Sequence, residues 1–186
     1  MSISPYIRQL RAHVGTMRLL LPSVSAHIFD DAGRLLLVQQ RDSGLWSTPG
    51  GALEPDERPA DAVVRETLEE TGLHVEPEAL IGAYGGPEFV VRYPNGDEVQ
   101  YAIMAFRCRV VGGELRPDRD ETTAVQYWSE AQVASLPVPP WLEMLRSSIF
   151  SDANMLTPSS SSKPLSSLTP SSSPPRSAPP PRESAP

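Results

Sequence analysis

Apolar positions along this chain recur with two periods, and the switch between them outlines the fold. From residue 4 to 14, Tyr6, Ile7, Leu10 and Val14 form one stripe at helical spacing. Ser4 can cap that helix, Pro5 suits its first turn, and Gly15 follows as a stop. The short helix is expected to pack on a sheet or on a second subunit. Leu19 to Phe29 and Arg34 to Gln40 then predict two strands joined by the turn Asp30-Asp31-Ala32-Gly33. Leu35-Leu36-Leu37-Val38 is apolar without alternation, which suggests a strand covered on both faces. His27 is expected as a strand residue meeting a local partner, and the single cysteine, Cys108, as a small buried hydrophobe.

Further strands are expected at Ala79–Tyr84, Phe89–Tyr93 and Glu98–Val111, with Pro94-Asn95-Gly96-Asp97 as a hairpin turn. In the long strand, Val99, Tyr101, Ile103 and Ala105 lie on one face and Ala102, Met104, Phe106 and Cys108 on the other. Both faces are apolar, so layers must cover both sides of the sheet, and the fold class is α/β with a mixed sheet between helices. Thr123 to Trp128 reads as the last strand. Ser129 with Gln132 matches a capping box, and Trp141, Leu142, Leu145 and Ile149 give a C-terminal helix with an apolar stripe.

The segment Pro59 to Gly72 is the one helix whose polar face demands explanation. Proline opens it and glycine closes it. At about 100° per residue, Glu66, Glu69 and Glu70 fall on one face, while Ala60, Val64 and Leu68 fall on the other, the face expected to meet the core. Carboxylates at i, i+3 and i+4 repel one another by a few tenths of a kcal/mol per pair, roughly. A solvated acidic surface would tolerate that. A hard divalent cation such as Mg²⁺ or Mn²⁺ would reverse its sign.

Composition narrows the setting. The chain has 186 residues and a net charge of −7, which argues against a surface that coats nucleic acid polymers. One cysteine fits a reducing, cytoplasmic compartment. No apolar run approaches the ~18 residues of a membrane span, and charges interrupt the N-terminus too early for a signal peptide. From Thr157 to Pro186, twenty of thirty residues are Ser or Pro, a composition expected to stay disordered. The expected organisation is therefore an N-terminal helix over 1–16, one domain over 17–150 and a Ser/Pro-rich tail over 151–186.

Gly51, five residues, Glu57, seven residues, Arg65-Glu66, two residues, Glu69-Glu70, one residue, Gly72-Leu73: this spacing closely resembles the signature box of the Nudix hydrolase family. Thr67 departs from it, standing where the family usually has an aliphatic residue or alanine. A small β-branched residue should still pack there, its hydroxyl turned onto the preceding helical turn. The resemblance implies an α/β/α sandwich and a Mg²⁺- or Mn²⁺-dependent pyrophosphohydrolase. Glu66 and Glu70 would be metal ligands, and Glu69 a third ligand or the base that takes water's proton. The Gly51 carbonyl would add an oxygen ligand, and Glu121, from the loop before the last strand, another catalytic acid.

Arg65 is expected to hold Glu69 through the i, i+4 relation, and Glu57 to contact Arg65 or the helix N-terminus. In the loop before the box, Arg41 could pair with phosphate and Trp46 could stack on a base, unless Trp46 simply covers the core edge. The implied substrate is a nucleoside diphosphate linked to a group X, of ADP-ribose or nucleotide-sugar type. A (deoxy)nucleoside triphosphate in a MutT-like role is the alternative, and a non-catalytic nucleotide sensor is a third. The protein would act as a monomer or homodimer on a small molecule.

Overall fold

The computed structural model describes residues 4–93 and 95–155. The N-terminal helix α1 (Pro5–Val14) begins where Ser4 accepts the Ile7 N–H on its hydroxyl at 3.2 Å. Strand β1 (Leu19–Ile28) follows, then β2 (Leu35–Gln40), the short β3 (Trp46–Ser47), helix α2 (Pro59–Thr71) and β4 (Leu73–Tyr84). A single 3₁₀ turn, Pro87–Phe89, leads into β5 (Val90–Arg92), β6 (Glu98–Gly113), β7 (Thr122–Trp128), α3 (Glu130–Val133) and α4 (Pro140–Met155). None of the helices among the described residues is long and apolar enough to cross a membrane.

Two sheets carry these strands. In the first, β6 lies between β1, to which it is parallel, and β4, to which it is antiparallel, while β5 folds back on β6 as a hairpin. In the second, β2 pairs antiparallel with β3 and β7. Strand β2 sits between two cores. Leu36 joins Val24, Ala26, Ile28, Ala62, Val63, Leu73 and Phe106 on the α2 side. Its neighbours Leu35 and Leu37 join Val133, Leu142, Ile149 and Phe150 on the α4 side. The unbroken apolar run is thus a strand covered on both faces, and the expected α/β/α layering holds. Cys108 is buried in the first core, and burial pushes its thiol up to about 12.

Three elements differ from the sequence-based expectation. Strand β4 starts at Leu73 rather than Ala79, immediately after the helix. Pro77 argues against a strand, yet β4 is an edge strand and its register shifts between Pro77 and Ala79, where a missing N–H costs no ladder bond. The expected strand at Phe89–Tyr93 shortens to Val90–Arg92 behind the 3₁₀ turn. Helix α4 runs to Met155, past the boundary placed at 150; the tail from 156 onward, and Pro94 of the hairpin turn, lie outside the described residues.

Helix α2 is also rotated from the expected packing. Its buried residues are Ala62, Val63, Thr67, Glu70 and Thr71, while Leu68 is 39% exposed. The threonines make this possible. Thr67 donates its hydroxyl to the Val63 carbonyl at 2.7 Å and Thr71 to the Thr67 carbonyl at 2.6 Å, so each hides its polar atom inside the helix. Counting threonine as polar misses this face. Its consequence is that Glu70 arrives on the buried side.

Candidate active site

A cleft of about 610 Å³ opens along α2, where five other segments meet. It is lined by the Gly50–Ala52 approach, the end of β2, the loop before β7, β6 and α1. Its lining carries seven carboxylates (Asp42, Glu54, Glu66, Glu69, Glu70, Asp97 and Glu121) against two guanidinium groups, Arg11 and Arg65. Both arginines are already ion-paired, Arg11 with Asp97 and Arg65 with Glu57, Glu66 and Glu69.

Each glutamate of α2 is held differently. Glu70 is 4% exposed; it accepts the Gly50 N–H at 2.9 Å and the Gln40 side-chain amide at 3.1 Å. Burial pushes its carboxyl up to about 8, against the pull of those two donors. Glu66 is pushed up to about 7 by burial, with Arg65 opposing the shift. The negative charges of Glu66 and Glu121 add to the shift of Glu70, which brings the loop acid into the same field as the helix. Glu69 has a side chain 56% exposed and points to the open side of the cleft.

Arg65 organises this group. Its Nε and one terminal nitrogen hold the two oxygens of Glu57 at 2.7 and 2.9 Å. The other terminal nitrogen reaches Glu66 at 2.8 Å and Glu69 at 3.1 Å. The expected i, i+4 contact exists, within a larger network. Glu57 also accepts the Glu54 N–H at 3.1 Å, closing the loop that leads into α2.

Three residues expected at the site make other contacts in this structure. The Gly51 carbonyl accepts the Val24 N–H at 2.9 Å and the Ser23 hydroxyl at 2.8 Å. Trp46 is 8% exposed and packs edge-on against Trp128 at 5.2 Å; its rings belong to the α4-side core and offer no face to a base. Arg41 donates from its backbone to the Glu121 carbonyl at 2.8 Å and from its side chain to the Arg119 carbonyl. It fastens the loop that carries Glu121 and is not a wall of the cleft.

Sequence reasoning missed the far wall of the cleft, formed by Ile7 and Arg11 of α1, Val99 and Tyr101 of β6, and Tyr93 and Asp97 of the hairpin. The available signal was Tyr101, a polar aromatic on an otherwise apolar strand face.

Among the described residues no three acidic, His or Cys side chains converge tightly enough to form a ready-made metal cage. Arg65 occupies that role, neutralising Glu66 and Glu69 at once. The donor set nevertheless fits a hard divalent cation in kind. Every candidate donor is a carboxylate oxygen, two of them are shielded from water, and none is a thiolate or imidazole.

Comparison with known proteins agrees with this arrangement. The NUDIX domain matches residues 19–146. A MutT-like protein of Streptomyces ambofaciens is 36% identical over 112 residues, covering 60% of this chain and 66% of that protein. A putative 8-oxo-dGTP diphosphatase of Bacillus subtilis is 31% identical over 112 residues, covering 60% of this chain and 68% of that protein. The chain thus spans about two thirds of the length of these curated relatives. Among solved structures, an ADP-ribose pyrophosphatase from Streptococcus suis is 29% identical with a TM-score of 0.58, covering 74% of this chain and 93% of its own. A domain match over most of the chain, and a fold shared with such structures, make this protein a member of the NUDIX family.

Proposed function

We propose that this chain is a divalent-metal-dependent pyrophosphohydrolase that splits a nucleoside diphosphate linked to a group X into a nucleoside monophosphate and X-phosphate. The supporting observation is the charge of the cleft. Even with Glu66 and Glu70 raised toward neutrality by burial, five further carboxylates stand against two arginines that are already ion-paired. An anionic diphosphate entering alone would be repelled, and only added cations make the site attractive to it.

Glu66 and Glu70 are the residues we assign to hold the cation, Mg²⁺ or Mn²⁺. Such an ion, when bound, neutralises diphosphate charge and helps orient an attacking water. Arg65 and Gly50 fix the directions of the two carboxylates before substrate arrives. Glu69 is the exposed member of the three, and we assign it the proton of the attacking water. Glu121 faces the same cavity from the β7 loop and adds a further acceptor there.

ADP-ribose or a nucleotide sugar is the substrate class put first, in line with the Streptococcus suis structure. The MutT-like and 8-oxo-dGTP diphosphatase names of the two relatives favour a nucleoside triphosphate as the second reading. Product identification separates them. Inorganic pyrophosphate plus a monophosphate indicates the triphosphate reaction. Nucleoside monophosphate plus a sugar phosphate indicates the first.

A further inference from the structure

Helix α1 lies beside the cleft without belonging to the core. It has no buried residue, although Ile7, Leu10 and Val14 give it an apolar stripe. Arg11 fastens its C-terminal end. Arg11 donates to the carbonyls of Gly15 at 3.0 Å, Met17 at 2.6 Å and Glu98 at 2.8 Å, and its Nε stands 3.4 Å from Asp97. Both members of the Arg11–Asp97 pair are nearly buried, with side chains 11% and 14% exposed. Gly15, which ends the helix at φ 58° and ψ −134°, adopts a conformation that side chains resist, with open space around it. Arg11 thus ties the helix to the strand beside a glycine joint, and Ile7 lines the cleft.

Val99 and Tyr101 line the same cleft as Ile7. The Tyr101 hydroxyl meets that of Tyr93 at 2.9 Å, and Asp97 is held in place by the Asn95 amide at 3.0 Å. This wall combines apolar surface with hydroxyl and carboxylate acceptors. Its one cation, Arg11, is spent on three carbonyls and a carboxylate. Another phosphate would find repulsion here. A neutral group with flat faces and N–H or O–H donors would find complementary partners.

We infer that α1 is the specificity wall of the cleft and that, together with Val99 and Tyr101, it contacts the base and ribose of a nucleoside. Arg11 is a positioning residue that sets where Ile7 stands. The inference rests on the hydrolase reading only in assigning the phosphates to the α2 end of the same cleft.

The test uses the full chain without metal, in chelator, with the four common ribonucleosides as probes in ligand-detected NMR. One nucleoside is expected to bind, and Ile7→Ala to weaken it about tenfold through the lost aliphatic contact. Arg11→Ala and Arg11→Lys are expected to weaken it similarly, because lysine keeps the charge but not the fork that spans three carbonyls. If Arg11 variants fail to fold, Ile7→Ala and Tyr101→Phe carry the test.

No nucleoside binding at millimolar concentration, or equal binding by every variant, overturns the inference. So does a change of oligomeric state with affinity untouched, which would make α1 a contact between copies. If α1 variants lose nucleoside binding while the metal-loaded protein hydrolyses no nucleotide, the wall stands and the hydrolase reading falls. If hydrolysis proceeds and nucleoside binding ignores α1, the reverse holds.

Discussion

Gly51 and Glu66 share one space: a Cβ added to Gly51 would lie 2.4 Å from a carboxylate oxygen of Glu66. The preceding Gly50 differs in kind. A Cβ there would meet the Val24 carbonyl of the neighbouring strand at 2.1 Å, on backbone already at φ 153°. Two adjacent glycines therefore predict two phenotypes. Gly51→Ala displaces the end of a flexible side chain, so the protein should fold normally and lose activity on the order of tenfold or more. Gly50→Ala forces strand backbone apart and should lower stability by roughly 1–3 kcal/mol. Chemical denaturation beside steady-state kinetics for both variants separates the two.

Glu70→Gln should abolish most hydrolysis, with a loss on the order of 10²–10³ in kcat, the scale seen when one charge-stabilising group is removed. The same change has a second signature in pH. Burial raises the Glu70 carboxyl to about 8 from its ordinary value of 4.5. A raised carboxyl favours the folded state fully below about 4.5, and that contribution fades as pH climbs through about 8. Metal-free wild type should therefore lose stability between these limits, and Glu70→Gln should flatten that loss. Melting temperatures in chelator across that range read the difference between the two proteins. An unchanged slope would mean that Glu70 is not buried as described.

Arg65→Lys keeps a positive charge but cannot span Glu57, Glu66 and Glu69 together. Activity should fall by about 10–100-fold, as for residues that orient ligands rather than act as them. Affinity for Mn²⁺ should fall with it, measured by titration calorimetry.

Trp46→Phe decides between base stacking and cover for the core edge. Trp46 packs with Trp128 in the α4-side core, so nucleotide affinity should not change. Stability should drop instead, and Trp46→Ala should cost about 3–5 kcal/mol. A loss of affinity without loss of stability would return Trp46 to the cleft.

Much of this was legible because it is local. The helix from Pro59 to Gly72, its glycine stop and the acid spacing depend on residues within a few positions of one another. The box placed Arg65, Glu66, Glu69 and Glu70 together, the resemblance added Glu121 from the loop before the last strand, and all five line one cavity. What failed depended on three-dimensional packing. Which side of α2 faces the core turned on threonine hydroxyls closing onto their own helix. Whether Trp46 faced solvent turned on the position of Trp128, 82 residues away. The donors to the Gly51 carbonyl, Ser23 and Val24, lie on a strand that the motif does not contain. The α1 wall escaped because Arg11 acts through carbonyls, which carry no side-chain signature.

The most direct test of the account is hydrolysis of ADP-ribose, nucleotide sugars and nucleoside triphosphates by the full chain, with products identified by ³¹P NMR. It is run with Mg²⁺ or Mn²⁺ and again with chelator, for wild type and Glu66→Gln. The account predicts turnover of at least one diphosphate substrate by wild type with metal, and collapse of that turnover in chelator and in Glu66→Gln. Turnover that survives both the chelator and the substitution would contradict it.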